Sequence, residues 1–201
     1  FSKKNKYHFN IIEKLDENIN LRNGKSTLII KEQGVGDEIL FSSMYNDLLK
    51  NNFYKIQIEC DKRLLEIFKR SFNKNIFVPF GHYSSTKDVH KFDNVIYAGS
   101  LTKYFRKKES DFKQEPYIKS LDELDKKFNS ILSNFSVKKK IGISWKSVFN
   151  IYGDLKSLEL SNFKNLFSKE RVFINLQYGE SIKEFNQLKQ SGLNVYDFNN
   201  I

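Results

Sequence analysis

Cysteine, proline and tryptophan are scarce in this chain: one Cys, two Pro and one Trp among 201 residues. A lone Cys60 excludes an internal disulfide and any zinc cluster built on cysteines, and it fits a reducing compartment. Two prolines and nine glycines exclude collagen-like and proline-rich disordered chains. No apolar run approaches the ~18 residues that a membrane-spanning helix needs. No secretory signal pattern is visible either. The chain opens on Phe1 rather than Met, which a processed or excised piece is expected to do. Internal repeats and low-complexity segments are missing as well.

Aromatic and basic residues are abundant. With 19 Phe and 10 Tyr, the core is expected to be built on Phe, Ile and Leu rather than Ala and Val. The net charge of +10 suggests an anionic partner. The Lys, Asn, Ile and Phe bias, however, runs along the whole chain, as an AT-rich genome would produce. Basic residues alternate with acids instead of forming a stripe, and no nucleic-acid reader motif accompanies them. Nucleic acid is therefore not an expected partner.

Residues 1–26 are polar and rich in Asn and Lys, with a weak helical pattern near 11–19, and read as a lead-in or linker. From Thr27 onward, strand-like and helix-like patterns alternate. Strands are expected over 27–31, 54–59, 75–79, 94–98, 140–145, 171–176 and 194–198. Helices are expected over 37–51, 61–72, 100–106, 121–134, 160–168 and 180–191. In the 61–72 helix, Leu64, Leu65, Ile67 and Phe68 should face inward, with Asp61 as the cap. Alternation of this kind predicts an α/β fold with parallel strands joined by right-handed crossovers. The run Lys138-Lys139-Lys140 marks a boundary, so one domain is expected over 27–136 and a second over 137–201. The second holds only about three strands, fewer than a doubly wound domain usually has. It reads as a partial domain whose last strands leave Phe173, Ile174, Val195 and Phe198 without full cover.

The most informative stretch is Lys31-Glu32-Gln33-Gly34-Val35-Gly36-Asp37-Glu38-Ile39-Leu40. It follows an apolar, β-branched run and opens an amphipathic one. A strand that breaks at glycines and starts a helix is the ligand-binding turn of a doubly wound domain. Asp37 at that turn is either a helix cap or a general base held at a cleft mouth. Gly34 and Gly36 are expected to give the backbone room in either case.

The segment Glu32-Gln33-Gly34-Val35-Gly36-Asp37-Glu38-Ile39-Leu40-Phe41 resembles the E-Q-G-x-G-D-x-I-x-F segment of bacterial glycosyltransferase-like domains that follow tetratricopeptide repeats. These are relatives of the heptosyltransferases of glycosyltransferase family 9. Further landmarks are similar and keep the same order: Phe92-Asp93, Gly99-Ser100-Leu101, Pro116-Tyr117-Ile118, Ile141-Gly142-Ile143-Ser144-Trp145, Lys156-Ser157-Leu158 and Asn175-Leu176-Gln177. The resemblance covers roughly 27–198. It departs from the family at Lys146-Ser147, where a glycine usually follows the tryptophan. The family's S-x-D-T-x-x-x-H-like donor segment has no counterpart before Ile201.

The resemblance implies a GT-B architecture, in which two Rossmann-like domains face each other and the first holds the acceptor and the second the nucleotide-sugar. It implies Asp37 as the base of an inverting transfer. Gly34, Gly36, Gln33 and His82 fall on the acceptor side, and Lys156, Lys146 and Trp145 on the donor side. His82 lies in the 81–85 loop after the third strand. Trp145 is equally readable as a stacking surface or a core residue. The absence of any Asp-x-Asp pair agrees with a site that binds no metal and needs no cofactor. The expected partners are a nucleotide-sugar donor and a glycan, glycolipid or protein acceptor, in the cytoplasm or at the inner membrane surface. Peripheral membrane contact and self-association stay open. The competing reading is a catalytically inactive module of the same fold, used for binding or as a scaffold beside tetratricopeptide repeats.

Overall fold

The computed structural model describes residues 24–32, 34–50, 55–83, 85–135, 139–147, 153–168, 170–177 and 182–198. Almost all of the expected lead-in, together with His8, Gln33 and Lys138, lies outside them. The chain divides into two compact units, Phe1–Leu121 and Asp122–Ile201. Each is a mixed α/β layer structure around a parallel sheet.

In the first unit, four strands are described: β1 (Ser26–Ile30), β2 (Lys55–Cys60), β3 (Phe77–Pro79) and β4 (Asn94–Tyr97). They are all parallel, in the order β3-β2-β1-β4. Helices α1 (Val35–Ser42), α2 (Tyr45–Leu48) and α3 (Leu65–Phe72) lie on the path that steps from β1 to β2 to β3. The chain then reverses through α4 (Thr86–Val89) to β4 on the far side of β1. Crossovers of constant hand put α1–α3 on one face of the sheet and α4 on the other.

The two cores follow from that layout. Strand β1 is buried along its whole length, as a central strand covered on both faces must be. Ile29 packs with Ile58, Cys60, Tyr45, Phe68, Phe72 and Phe77. Leu28 and Ile30 point the other way, toward Val89, Phe92 and Val95. The rings of Tyr45, Phe68, Phe72 and Phe77 meet at centroid distances of 5.5–6.0 Å. Full burial of such a side chain is worth about 1.5–3 kcal/mol, so this aromatic cluster dominates the unit.

Two expected helices are shorter than their periodicity predicts. The 61–72 pattern starts its helix only at Leu65, because the Asp61 carboxylate accepts from Arg63 N at 2.9 Å and closes a side-chain turn first. Asp61 therefore caps a turn and not the helix. The 37–51 pattern divides at Ser43. Ser42 Oγ donates back to Ile39 O at 2.7 Å, and the Ser43 carbonyl is taken by Arg106 Nη2 at 2.8 Å. Both interrupt the helical ladder. A 3₁₀ turn (Ala98–Leu101) and α5 (Thr102–Phe105) together occupy the helix expected over 100–106.

The second unit has α6 (Asp122–Ser133), β5 (Lys139–Ile143), β6 (Arg171–Asn175), α7 (Ile182–Gln190) and β7 (Val195–Asp197). Its strands are parallel in the order β5-β6-β7. One face carries Ile143, Trp145, Leu160, Phe173 and Phe185. Over Leu160–Leu166 the chain is 3₁₀ rather than α, which stacks Leu160 over Phe163 at the i, i+3 spacing of that helix. The dividing point falls before α6, earlier than the tri-lysine run predicts. Phe128 of α6 packs edge-on against Phe198, and Phe135 against Tyr196, which commits this helix to the second unit. The expectation that Phe173 and Ile174 lack cover is corrected: they are 1% and 7% exposed, because β6 is the central strand. Val195 and Phe198 are half-buried. Among the described residues no helix is long and apolar enough to cross a membrane.

Candidate functional site

The order β3-β2-β1-β4 reverses direction at β1, so the crevice beyond the carboxyl ends of β1 and β4 is the topological switch point of the first unit. The glycine turn falls there. Gly34 precedes α1 in extended conformation (φ −83°), and its N–H donates to Asp37 Oδ2 at 3.1 Å. Asp37 is half-buried and closes the first turn of the helix. A side chain added at Gly36 would meet nothing within 4 Å, and one at Gly34 only the Asp37 carboxylate at 3.7 Å. Neither glycine has a positive φ. The expectation that both are needed for backbone room is therefore corrected: no atom of the described residues requires them.

Two carboxylates beside Asp37 stitch the strand ends together. Glu38, 2% exposed, pairs with Lys31 Nζ at 2.6 Å and accepts from Asp61 N at 2.8 Å, joining the ends of β1 and β2. Lys31 also lies 5.3 Å over the Phe80 ring. Glu32 accepts from Gly99 N at 2.5 Å, joining the ends of β1 and β4. Gly99 is sterically required, since a Cβ there would come within 2.6 Å of Glu32 Oε2 and 3.1 Å of Phe41. Beneath the turn, burial and then the Glu38 charge raise the Tyr45 hydroxyl above its ordinary range. The same two causes push the Cys60 thiol up to about 12, so it is an inert core thiol. The guanidinium of Arg63 holds the Asp61 carboxyl below the usual carboxylate range.

The structure brings Gly34, Gly36 and Asp37 into one turn. His82 is not part of it. It follows the edge strand β3, two strands from β1, where its exposed ring meets Tyr83 edge-on at 4.8 Å.

In the second unit, the carboxyl ends of β5 and β6 are knotted by Gln177, which is 2% exposed. Its Oε1 accepts from Ser144 Oγ at 3.0 Å, Trp145 N at 3.0 Å and Lys146 N at 2.8 Å. Its Nε2 donates to Lys146 O at 3.0 Å. Trp145 is a core residue here. It is 4% exposed, parallel to Phe185 at 6.4 Å, and donates through Nε1 to Glu184 Oε2 at 2.9 Å. The other oxygen of Glu184 takes the Lys146 ammonium. That contact holds the Glu184 carboxyl below its ordinary pKa, against the opposing effect of burial and with help from Trp145. The stacking face expected of Trp145 is thus inside the core, and Lys146 is already paired. Lys156, on an exposed 3₁₀ turn (Asp154–Lys156), has no ion-pair partner among the described residues. A pocket of about 380 Å³ opens beside Lys146, bounded by Glu159, Ser161, Glu184 and Gln187 over a floor of Leu160 and Leu188.

Sequence reasoning misses Glu38, Gln177 and Glu184. Gln177 carries a signal, as the last residue of the Asn175-Leu176-Gln177 strand end. Glu184 carries none, because its partners lie 38 and 39 positions away. Among the described residues no group of three or more His, Cys, Asp or Glu could hold a metal ion. No family model matches this chain, and no curated protein and no solved structure matches it.

Proposed function

We propose that the protein is a glycosyltransferase-like enzyme of GT-B type, moving a sugar from a nucleotide-sugar to a hydroxyl of a surface glycan, glycolipid or protein. The observation that carries this reading is the bare turn at the switch point of the first unit. Among the described residues nothing crowds Gly36, and only the Asp37 carboxylate, at 3.7 Å, stands near a Cβ added at Gly34, so the turn that carries Asp37 is open beside both glycines. Asp37 would take the acceptor proton as general base, which needs only hydrogen-bond reach to the attacking hydroxyl. Lys156, unpaired among the described residues, is the candidate for the leaving diphosphate. The reading is that of a metal-independent, inverting transfer.

A second reading has its own observation. Trp145 and Lys146, the other donor-side candidates, are committed to Phe185, Gln177 and Glu184. That arrangement favours an inactive module that binds a glycan or a protein without transferring sugar.

One experiment separates the two readings. The protein is titrated with UDP-glucose, GDP-mannose and ADP-glucose, and release of nucleoside diphosphate is followed with and without acceptor glycans. Release that falls about 10²–10⁴-fold in Asp37→Asn, at unchanged melting temperature, supports the enzyme, because asparagine caps as well as aspartate but cannot act as base. Unchanged release in that variant removes Asp37 from the chemistry. Glycan binding without nucleotide-sugar binding establishes the inactive module.

A further inference from the structure

We propose that the pocket beside Lys146 in the second unit binds a small organic amine, a protonated primary amine carried on a compact apolar ring. The site goes beyond the transfer chemistry proposed above and does not depend on it. Its volume, about 380 Å³, falls in the range of small-molecule sites, ~300–1,000 Å³. Two segments build its walls. Glu184, Gln187 and Leu188 share one face of α7 at the i, i+3, i+4 spacing. Glu159, Leu160 and Ser161 are consecutive where the 3₁₀ stretch begins. Leu160, which is 4% exposed, and the half-buried Leu188 belong to the core cluster of this unit, so the floor is apolar and held from beneath.

Charge and hydrogen-bonding capacity select the occupant. The lining carries Lys146, Glu184 and Glu159 as its charged groups. Lys146 and Glu184 cancel each other, and the second oxygen of Glu184 is taken by Trp145 Nε1. Glu159 receives only a neutral donor, Ser161 Oγ at 3.2 Å, and no ion pair reaches it among the described residues. Lys164, Lys183 and Lys189 are exposed on the same two segments but lie outside the lining. One negative charge is therefore left uncancelled in the pocket. A phosphate would meet that charge and find the Lys146 ammonium already engaged. A neutral ring would use the leucine floor and leave Glu159 unanswered. An ammonium on an apolar ring satisfies both: the ring covers Leu160 and Leu188, the ammonium donates to Glu159, and the side-chain oxygens of Ser161 and Gln187 accept its remaining N–H groups.

The test is a titration followed by backbone amide shifts, with three probes of similar size: cyclohexylamine, cyclohexanol and cyclohexanecarboxylate, at neutral pH and matched ionic strength. The amine should bind tightest and the carboxylate weakest, with the largest shifts at Ser161, Gln187 and Leu188. Added salt should weaken the amine alone. Glu159→Gln should lower the amine's affinity roughly three- to fivefold, to the level of the alcohol, at unchanged melting temperature because Glu159 is exposed. Gln187→Trp, which fills the pocket from an exposed helical position, should abolish binding of the amine and the alcohol. Tighter binding of the carboxylate overturns the proposal in favour of an anion site on Lys146. Equal binding of amine and alcohol, or amine binding untouched by Glu159→Gln, makes Glu159 a solvated surface charge and overturns it as well. An amine that shifts no residue of the lining shows that the pocket is not a site.

Discussion

Replacing Gln177 by alanine removes the amide that holds the ends of β5 and β6 together. The cost can be worked from its partners. Trp145 N loses its acceptor in a fully buried position, worth about 1–3 kcal/mol. Lys146 N and Lys146 O lose their partners where water can partly replace them, about 0.5–1 kcal/mol each at that exposure. Ser144 Oγ is exposed and adds little. Truncation of the buried methylenes adds roughly 1–2 kcal/mol. The total is about 3–7 kcal/mol, a large share of the roughly 4–12 kcal/mol expected for a unit of this size. Trp145 is the only tryptophan, so its fluorescence during urea unfolding reports on this unit alone. Gln177→Glu sharpens the test. A carboxylate still accepts from Trp145 N and Lys146 N but sets an oxygen against Lys146 O. Burial raises such a carboxyl's pKa, and the neutral form can donate again. This variant should therefore be less stable than wild type at neutral pH and regain stability as pH falls through the raised pKa. A loss under about 1 kcal/mol for Gln177→Ala, or no acid recovery for Gln177→Glu, would refute the reasoning.

Three further outcomes are expected. Glu38→Leu leaves the Lys31 ammonium buried and should cost about 3–5 kcal/mol in urea unfolding, most of it recovered in the double variant Lys31→Met/Glu38→Leu; losses that simply add would show the pair is uncoupled. Glu184 has a lowered folded-state pKa, so its stabilisation is complete above the ordinary glutamate pKa of roughly 4.3 and is lost as pH falls through the folded value. Acid titration of Trp145 emission should show that loss, and Glu184→Gln should abolish the transition. Gly99→Ala should destabilise by roughly 1–2 kcal/mol by expelling Glu32 from the Gly99 amide, whereas Gly142→Ala should cost little, since the Leu176 side chain it meets is 62% exposed and free to turn away.

The sheets were legible in the sequence, and the side-chain network was not. All seven expected strands are present within a few residues of their predicted bounds, because runs such as Ser26–Ile30 are apolar, β-branched and flanked by polar residues. Their parallel pairing follows from the helices between them. The helix breaks were hidden for a physical reason. The split at Ser43 depends on Arg106, 63 positions away, and local periodicity carries no trace of it. The same limit explains the site. The turn at Gly34 and Gly36 announced itself, while the orientation of Trp145 was decided by Glu184 and Phe185 on a distant helix. Sequence also overstated the role of the glycines: their presence was visible, and the empty space beside them was not.

The carboxylates of Glu32 and Glu38 behave as resident anions. At many switch points, free backbone N–H groups wait for a ligand's phosphate. Here the amides of Gly99 and Asp61 already have their negative partners, drawn from the chain itself. A phosphate approaching either of these two amides would have to evict a bonded carboxylate. An uncharged alcohol meets no such opposition. The two glutamates that flank the turn thus oppose a second anion at the amides of Gly99 and Asp61 and leave an uncharged group unopposed there.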